Sequence, residues 1–279
     1  MKKFFALLMI CSLILLTGCG GEKISDEQEI RLGMITRLNI SERLLDDYIE
    51  KVYSKANPDS NIHAHKHIFF DNMNSMIAAL HVGQIDEMST YRSVADYLIT
   101  RNDSFELTDL YAPKITDEFC CAVRAEDSEL KKEFDDAILK LKLDGTLARL
   151  TKIYIIDENA EPPAVDMPHF DRAPTIKVAV TGDLPPLDYV TADGKPAGFN
   201  TALLSAISKL VGKNFELVQV AGGARTTALS SKQVDVIFWV TVPLDVTIVP
   251  QNLDKPDDAI VTEPYFTDEV AHVKIKGQG

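Results

Sequence analysis

The stretch 175–211, TIKVAVTGDLPPLDYVTADGKPAGFNTALLSAISKLV, constrains the chain most. Residues 176–180 form a short β-branched run, enough for one buried strand. Gly182 and the Pro185-Pro186 pair stop it, because proline donates nothing to a sheet ladder. Ala192-Asp193-Gly194-Lys195 reads as a hairpin turn, since glycine tolerates positive φ. Asn200 is placed to cap a helix with Leu203, Leu204, Ile207, Leu210 and Val211 on one face, and Gly212 suits its end. Residues 214–220 make the next strand. In a strand, turn, helix, strand unit of this kind, a ligand sits where the first strand ends.

This order of features resembles the opening of bacterial extracellular solute-binding proteins of family 3, the polar amino-acid binders of ABC importers. In that family a strand runs into a Pro-Pro-aromatic turn, an Asp-Gly-Lys hairpin, a Gly-Phe-Asp step and a helix. The resemblance runs over residues 176–235, so it starts late in a chain of 279 residues.

The chain begins Met1-Lys2-Lys3, a positive segment, followed by an apolar run over residues 4–16. Roughly a dozen apolar residues suit a signal peptide better than a membrane span. Leu16-Thr17-Gly18-Cys19 matches the bacterial lipobox, which makes 1–18 a signal peptide and Cys19 the lipidated residue. Several acyl chains there hold a protein at a membrane, in the periplasm or at the cell surface. Cleavage leaves 261 residues (279 less 18) and takes the formal charge from −13 to −15, as Lys2 and Lys3 are lost. Such acidity opposes nucleic-acid binding. Cys120 and Cys121 are adjacent in a predicted strand, so they point to opposite faces and read as free thiols.

After a tether (19–26), the pattern predicts a strand over 30–35 and a helix capped within Asn39-Ile40-Ser41-Glu42. A strand over 67–70 follows, then a short helix capped by Asp71 or Asn72, and a strand starting at Ile85-Asp86. Ala79-Leu80-His81-Val82-Gly83-Gln84-Ile85-Asp86 aligns without gaps to Ala228-Leu229-Ser230-Ser231-Lys232-Gln233-Val234-Asp235. A helix, tight turn and strand recurring after similar units suggests two related α/β lobes. Residues 93–99, the strand 119–124, the amphipathic helix 130–142 and Asp144-Gly145-Thr146-Leu147 resemble the family's second lobe and closing helices. Four prolines between 155 and 174 read as an extended surface linker.

The resemblance therefore implies an α/β, two-lobed clamp of the type II periplasmic-binding-protein fold with its lobes in permuted order. A second-lobe-like domain spans 27–116, the return to the first lobe 117–156, the linker 157–174 and a first-lobe-like domain 175–279. The rival reading is a broken tandem of two incomplete modules. Hinging is expected about residues 119–123 and 270–275.

No GxSxG, HExxH, P-loop or Rossmann glycine run is present, so the chain reads as a binding protein rather than an enzyme. No cofactor is implied. His63, His65 and His67 alternate, but read better as a polar strand edge than as a zinc site, with no carboxylate or cysteine at ligand spacing. The resemblance places Thr181, Asp183, Leu184, Trp239 and Thr241 on the first-lobe side of a ligand cleft. It places Thr36, Arg37, Asn39, Thr90 and Tyr91 on the second-lobe side. Leu184 replaces the family's aromatic lid. The arginine that pairs an α-carboxylate is missing, since residues 241–263 hold only Lys255 as a cation. Tyr91 stands where the family has the aspartate for the α-ammonium, and Asn200 where Gly-Phe-Asp has its acid. Unpaired zwitterion charges are costly in a cleft. The expected ligand is thus a small polar solute other than an ordinary amino acid. The expected protein is a monomer whose partner is an ABC permease, or none if it is a ligand-sensing or presenting lipoprotein.

Overall fold

The computed structural model describes residues 30–35, 42–56, 65–108, 115–157, 163–244 and 254–277. The signal peptide, Cys19 and the cap at 39–41 lie outside the described residues. The chain first builds β1 (Ile30–Ile35), α1 (Glu42–Ala56), β2 (His65–Phe70), α2 (Met73–His81), β3 (Glu87–Tyr91), α3 (Arg92–Arg101) and β4 (Phe105–Leu107). Next come β5 (Thr116–Arg124), α4 (Ser128–Leu143) and α5 (Thr146–Thr151), which runs into a π-helical turn over Lys152–Ile156. Beyond the proline-rich segment lie β6 (Thr175–Val180), β7 (Asp183–Leu184), β8 (Asp188–Val190), β9 (Pro196–Ala197) and α6 (Phe199–Val211). The last elements are β10 (Asn214–Gln219), α7 (Arg225–Ser230), β11 (Val236–Pro243), β12 (Ala259–Val261) and β13 (Phe266–Ile275).

These strands make a mixed α/β fold of two lobes with the same sheet plan. In one, β2, β1 and β3 are parallel neighbours, and β13 runs antiparallel between β3 and β4. In the other, β10, β6 and β11 are parallel, and β5 runs antiparallel between β11 and β12. Each lobe thus takes its fourth strand from the segment that links it to the other. The two linking strands pair directly, Phe119 with Phe266 through Thr116 with Glu269. The crossing point is therefore residues 116–119 and 266–269, a few residues before the segments expected to hinge. Residues 119–123 and 270–275 continue from it into the sheets of the two lobes, pairing with β11 and β3.

The recurring octapeptide folds alike in both lobes. Gln84 N–H donates to Ala79 O and Gln233 N–H to Ala228 O, both at 2.9 Å. Asp86 N–H meets Arg31 O, and Asp235 N–H meets Lys177 O, both at 2.8 Å. The aspartate side chains return the bond, accepting from Arg31 N at 2.8 Å and Lys177 N at 3.0 Å. The strand expected at Ile85-Asp86 begins at Glu87, because Asp86 is spent on this turn.

Two further details differ from the sequence reading. The helix expected to be capped by Asn200 starts at Phe199 behind Gly198, whose φ is 104°. A Cβ there would lie 2.3 Å from Leu187 O, so only glycine fits, and Asn200 is left inside the first turn. The proline-rich segment is extended, as expected, but its described part is pinned to the first lobe rather than running free. Val165 N–H donates to Pro196 O at 3.0 Å, Ser205 Oγ to Asp166 O at 3.0 Å and Phe170 N–H to Asn214 Oδ1 at 2.7 Å. Cys120 and Cys121 are free, buried and on opposite faces, in different apolar clusters. Burial pushes the Cys120 thiol up to about 12 and raises Cys121 as well, which suits packing and not thiolate chemistry.

Candidate functional site

A cavity of about 410 Å³ lies between the lobes, at the C-terminal ends of the parallel strands. Such ends are where open α/β sheets receive ligands, and the volume suits a small molecule. Thr181, Asp183, Leu184, Trp239, Thr90 and Tyr91 all line it. Thr241 does not. Its N–H and Oγ1 both donate to buried Asp254 at 3.0 and 3.2 Å, and it is Asp254 that lines the cavity, so Thr241 stands one residue behind the wall. Thr36, Arg37 and Asn39 lie outside the described residues.

The first-lobe wall is built on a buried carboxylate. Asp188, on β8, accepts from Gly182 N at 2.5 Å, from Asn200 Nδ2 at 3.3 Å and from the Thr181 hydroxyl. Tyr265 OH donates to Asn200 Oδ1 at 3.3 Å. Burial holds Asp188 above the usual carboxylate range, and these donors oppose the rise. The network fixes the turn from which Thr181 and Asp183 enter the cleft. Asn200, neutral where the family has an acid, thus serves Asp188 rather than a ligand.

Trp239 is 5% exposed. Its ring packs on Phe119 at 5.1 Å between centroids, meets Tyr91 edge-on at 5.9 Å, and has the Arg225 guanidinium 5.6 Å from its centre. It is a packed wall that shows the cleft little of its area. Tyr91 OH donates to Asp117 Oδ2 at 2.6 Å, so the phenol tethers β3 to the linking strand β5 while its ring edges the cavity.

Arg225, which the sequence reading did not single out, corrects the view that the first lobe offers the cleft no cation. It is 2% exposed, lines the cavity, and Nη1 donates to Trp239 O at 3.0 Å. Gln219 and the segment 71–74 at the start of α2 also line the cleft. An arginine heading a short helix before the repeated turn carries no sequence signal of this kind. Its place follows from how α7 packs on β11.

Of the three histidines, His63 and the His65 side chain lie outside the described residues. His67 is in contact with the Asp46 carboxylate on α1, a partner that linear spacing had hidden. Among the described residues no group of three His, Cys, Asp or Glu side chains could hold a metal ion.

Two α/β lobes with shared linking strands and a cavity between them make a two-lobed clamp. Residues 176–243 match the family model of bacterial extracellular solute-binding proteins, family 3, which is 68 of the 279 residues. That is a family of binding proteins, not enzymes. No curated protein sequence is a significant match. Among solved structures, the chain resembles the ligand-binding component of an ABC-type import system from Staphylococcus aureus with zinc bound, at 11% identity and TM-score 0.42. That match covers 89% of this chain and 66% of the other. The alkanesulfonate-binding protein of Xanthomonas axonopodis pv. citri bound to MOPS matches at 10% identity and TM-score 0.41, over 89% of this chain and 65% of that one. A binding protein of an ABC phosphonate transporter from Pseudomonas aeruginosa matches at 14% identity and TM-score 0.42, over 91% and 70%.

Proposed function

We propose that the protein is the solute-binding component of an ABC importer, exported, lipid-anchored through Cys19, and closing its lobes over a small polar solute. The observation that carries this reading is the cavity whose walls come from both lobes at their strand ends. A solute held there touches both lobes only when they are closed, so its binding energy favours closure. Thr90, Tyr91, Thr181, Asp183, Leu184 and Trp239 are its proposed contacts, joined by Arg225, whose positive charge lines the same cavity. Arg225 and Asp183 put opposite charges in one cavity, so a small zwitterion is no longer disfavoured by charge alone. The order of the chain is proposed to be a permutation of the family order, with the linker 157–174 joining what are the ends of other members.

Thermal-shift screening of small polar solutes, followed by small-angle scattering, tests the clamp. A solute that stabilises the protein is expected to reduce its radius of gyration; tight binding at an unchanged radius would defeat the proposal. Acyl-chain labelling of cells is expected to mark the protein and to be lost in Cys19→Ser. Described residues contain no helix long and apolar enough to cross a membrane.

A further inference from the structure

Asp183 opens β7 in one lobe, yet its carboxylate serves the other. Its Oδ2 accepts the N–H of Asn74 at 3.1 Å, in the first turn of α2, beside the Met73 N–H. A helix start has N–H groups without partners inside the helix. In α2 they are divided: Ser75 N–H goes to the cap Asn72 at 2.9 Å, Met76 N–H to Asn72 O at 3.4 Å, and Asn74 N–H crosses the cleft to Asp183. Two weaker contacts cross the same cleft. Gly222 N–H reaches Asp71 O at 3.2 Å, and the rings of Tyr97 and Tyr189 lie 6.3 Å apart.

We infer that Asp183 acts as a latch across the cleft and as an internal competitor for anionic ligand groups, because it occupies the α2 donors that a solute carboxylate would otherwise take. The inference rests on the cleft being the solute site, and adds which solutes it favours. A solute that brings an anion to α2 has to displace Asp183. One that brings a hydrogen-bond donor or a cation finds an acceptor already in place. Burial raises the Asp183 carboxyl above its usual range; the α2 donors and the Arg225 guanidinium oppose that rise without cancelling it. The latch is therefore stronger with a neutral acceptor than with a charged one.

Asp183→Ala and Asp183→Asn, made in the full chain and checked by circular dichroism for native structure, test this. Scattering of the solute-free proteins is expected to show the Ala variant more open. Leaving the Asn74 N–H without its acceptor on closure lowers its closed-to-open ratio by about tenfold. The Asn variant keeps an acceptor without charge and stays at least as closed as the parent. Acetate is the anion probe, and Trp239, the only tryptophan in the chain, is the reporter. Fluorescence of the Ala variant is expected to saturate with acetate in roughly the millimolar range, while the parent and the Asn variant do not respond. An Ala variant that scatters like the parent and is blind to acetate overturns the inference. Neither readout uses the natural solute, so failure of all solutes to close the parent protein would count against the importer reading alone.

Discussion

The two lobes hold the same turn with different arginines. In the lobe built on β1, the arginine is local: Arg31, on β1 itself, reaches Asp86 Oδ1 at 2.5 Å and Gly83 O at 2.7 Å, with over a third of its side chain exposed. In the lobe built on β6 the matching residue is Lys177, and the arginine arrives from elsewhere. Arg124, at the end of the linking strand β5, bonds Asp235 at 2.9 Å, Val234 O at 2.7 Å and Leu229 O at 3.2 Å. It is buried and also lies 2.6 Å from Asp127. One lobe closes its turn from its own sequence neighbourhood. The other needs a residue that precedes the linker.

The sharpest way to break this contrast is to divide the chain. A protease site placed between Asp157 and Pro163 is expected to leave, after cleavage, two pieces that stay together and melt in one transition. The piece from residue 163 onward, made alone, is expected to lack native near-ultraviolet dichroism, since β11 and β12 both pair with the missing β5. Independent, cooperative melting of that piece would instead favour two separate modules.

Arg124→Met comes next. It strands Asp235, Asp127 and two carbonyls in a mostly buried place, and a loss of about 3 kcal/mol in urea unfolding is expected. Arg31→Met removes a solvent-screened partner from the equivalent turn, and its effect is expected to be much smaller. Equal losses would mean that the arginine's origin does not matter.

The turn residue itself gives a smaller, opposite-signed pair. Gly83 has φ 69° and Lys232, its counterpart, φ 60°. A left-handed conformation costs a residue with a Cβ about 1 kcal/mol. Gly83→Ala is expected to destabilise by about that much, and Lys232→Gly to stabilise by somewhat less. The Lys232–Glu126 contact, 3.6 Å and exposed, adds little to the balance. Denaturant melts of both variants decide it.

The smallest expected effect is on pH. In the closed form Asp183 is raised by burial, with the Asn74 and Met73 N–H groups and Arg225 opposing, and Asp71 lining the same cavity. In an open form it is solvated, with the ordinary value of about 4. Closing therefore takes up a proton. The aid to closure is complete below about pH 4 and is lost as pH rises through the raised value. Scattering of the solute-free protein is expected to show slight compaction on acidification, and none in Asp183→Asn.

Much of this arrangement was readable from residues. The β-branched run of β6, the apolar face of α6 and the octapeptide repeat are local patterns, and each element formed close to its expected bounds. The cleft was readable only where it lies at strand ends, as with Thr181, Thr90 and Trp239. Arg225 and the start of α2 reach it by helix packing, and Thr241 misses it because Asp254 stands between it and the cavity. The Gly198 cap depended on the approach of Leu187 O, a contact set by β8 folding back. What distance in sequence hides is which side of a lobe faces the other.

The exchange of fourth strands also sets a timetable. In a chain emerging from its N-terminus, β1, β2 and β3 are available early, but Tyr91 waits for Val270 to complete its edge. The first lobe made is thus the last finished, with an open strand edge throughout. A newly made chain of this design is best kept unfolded and away from its neighbours until β13 has appeared, and one that stalls before it offers β3 to whatever strand comes by.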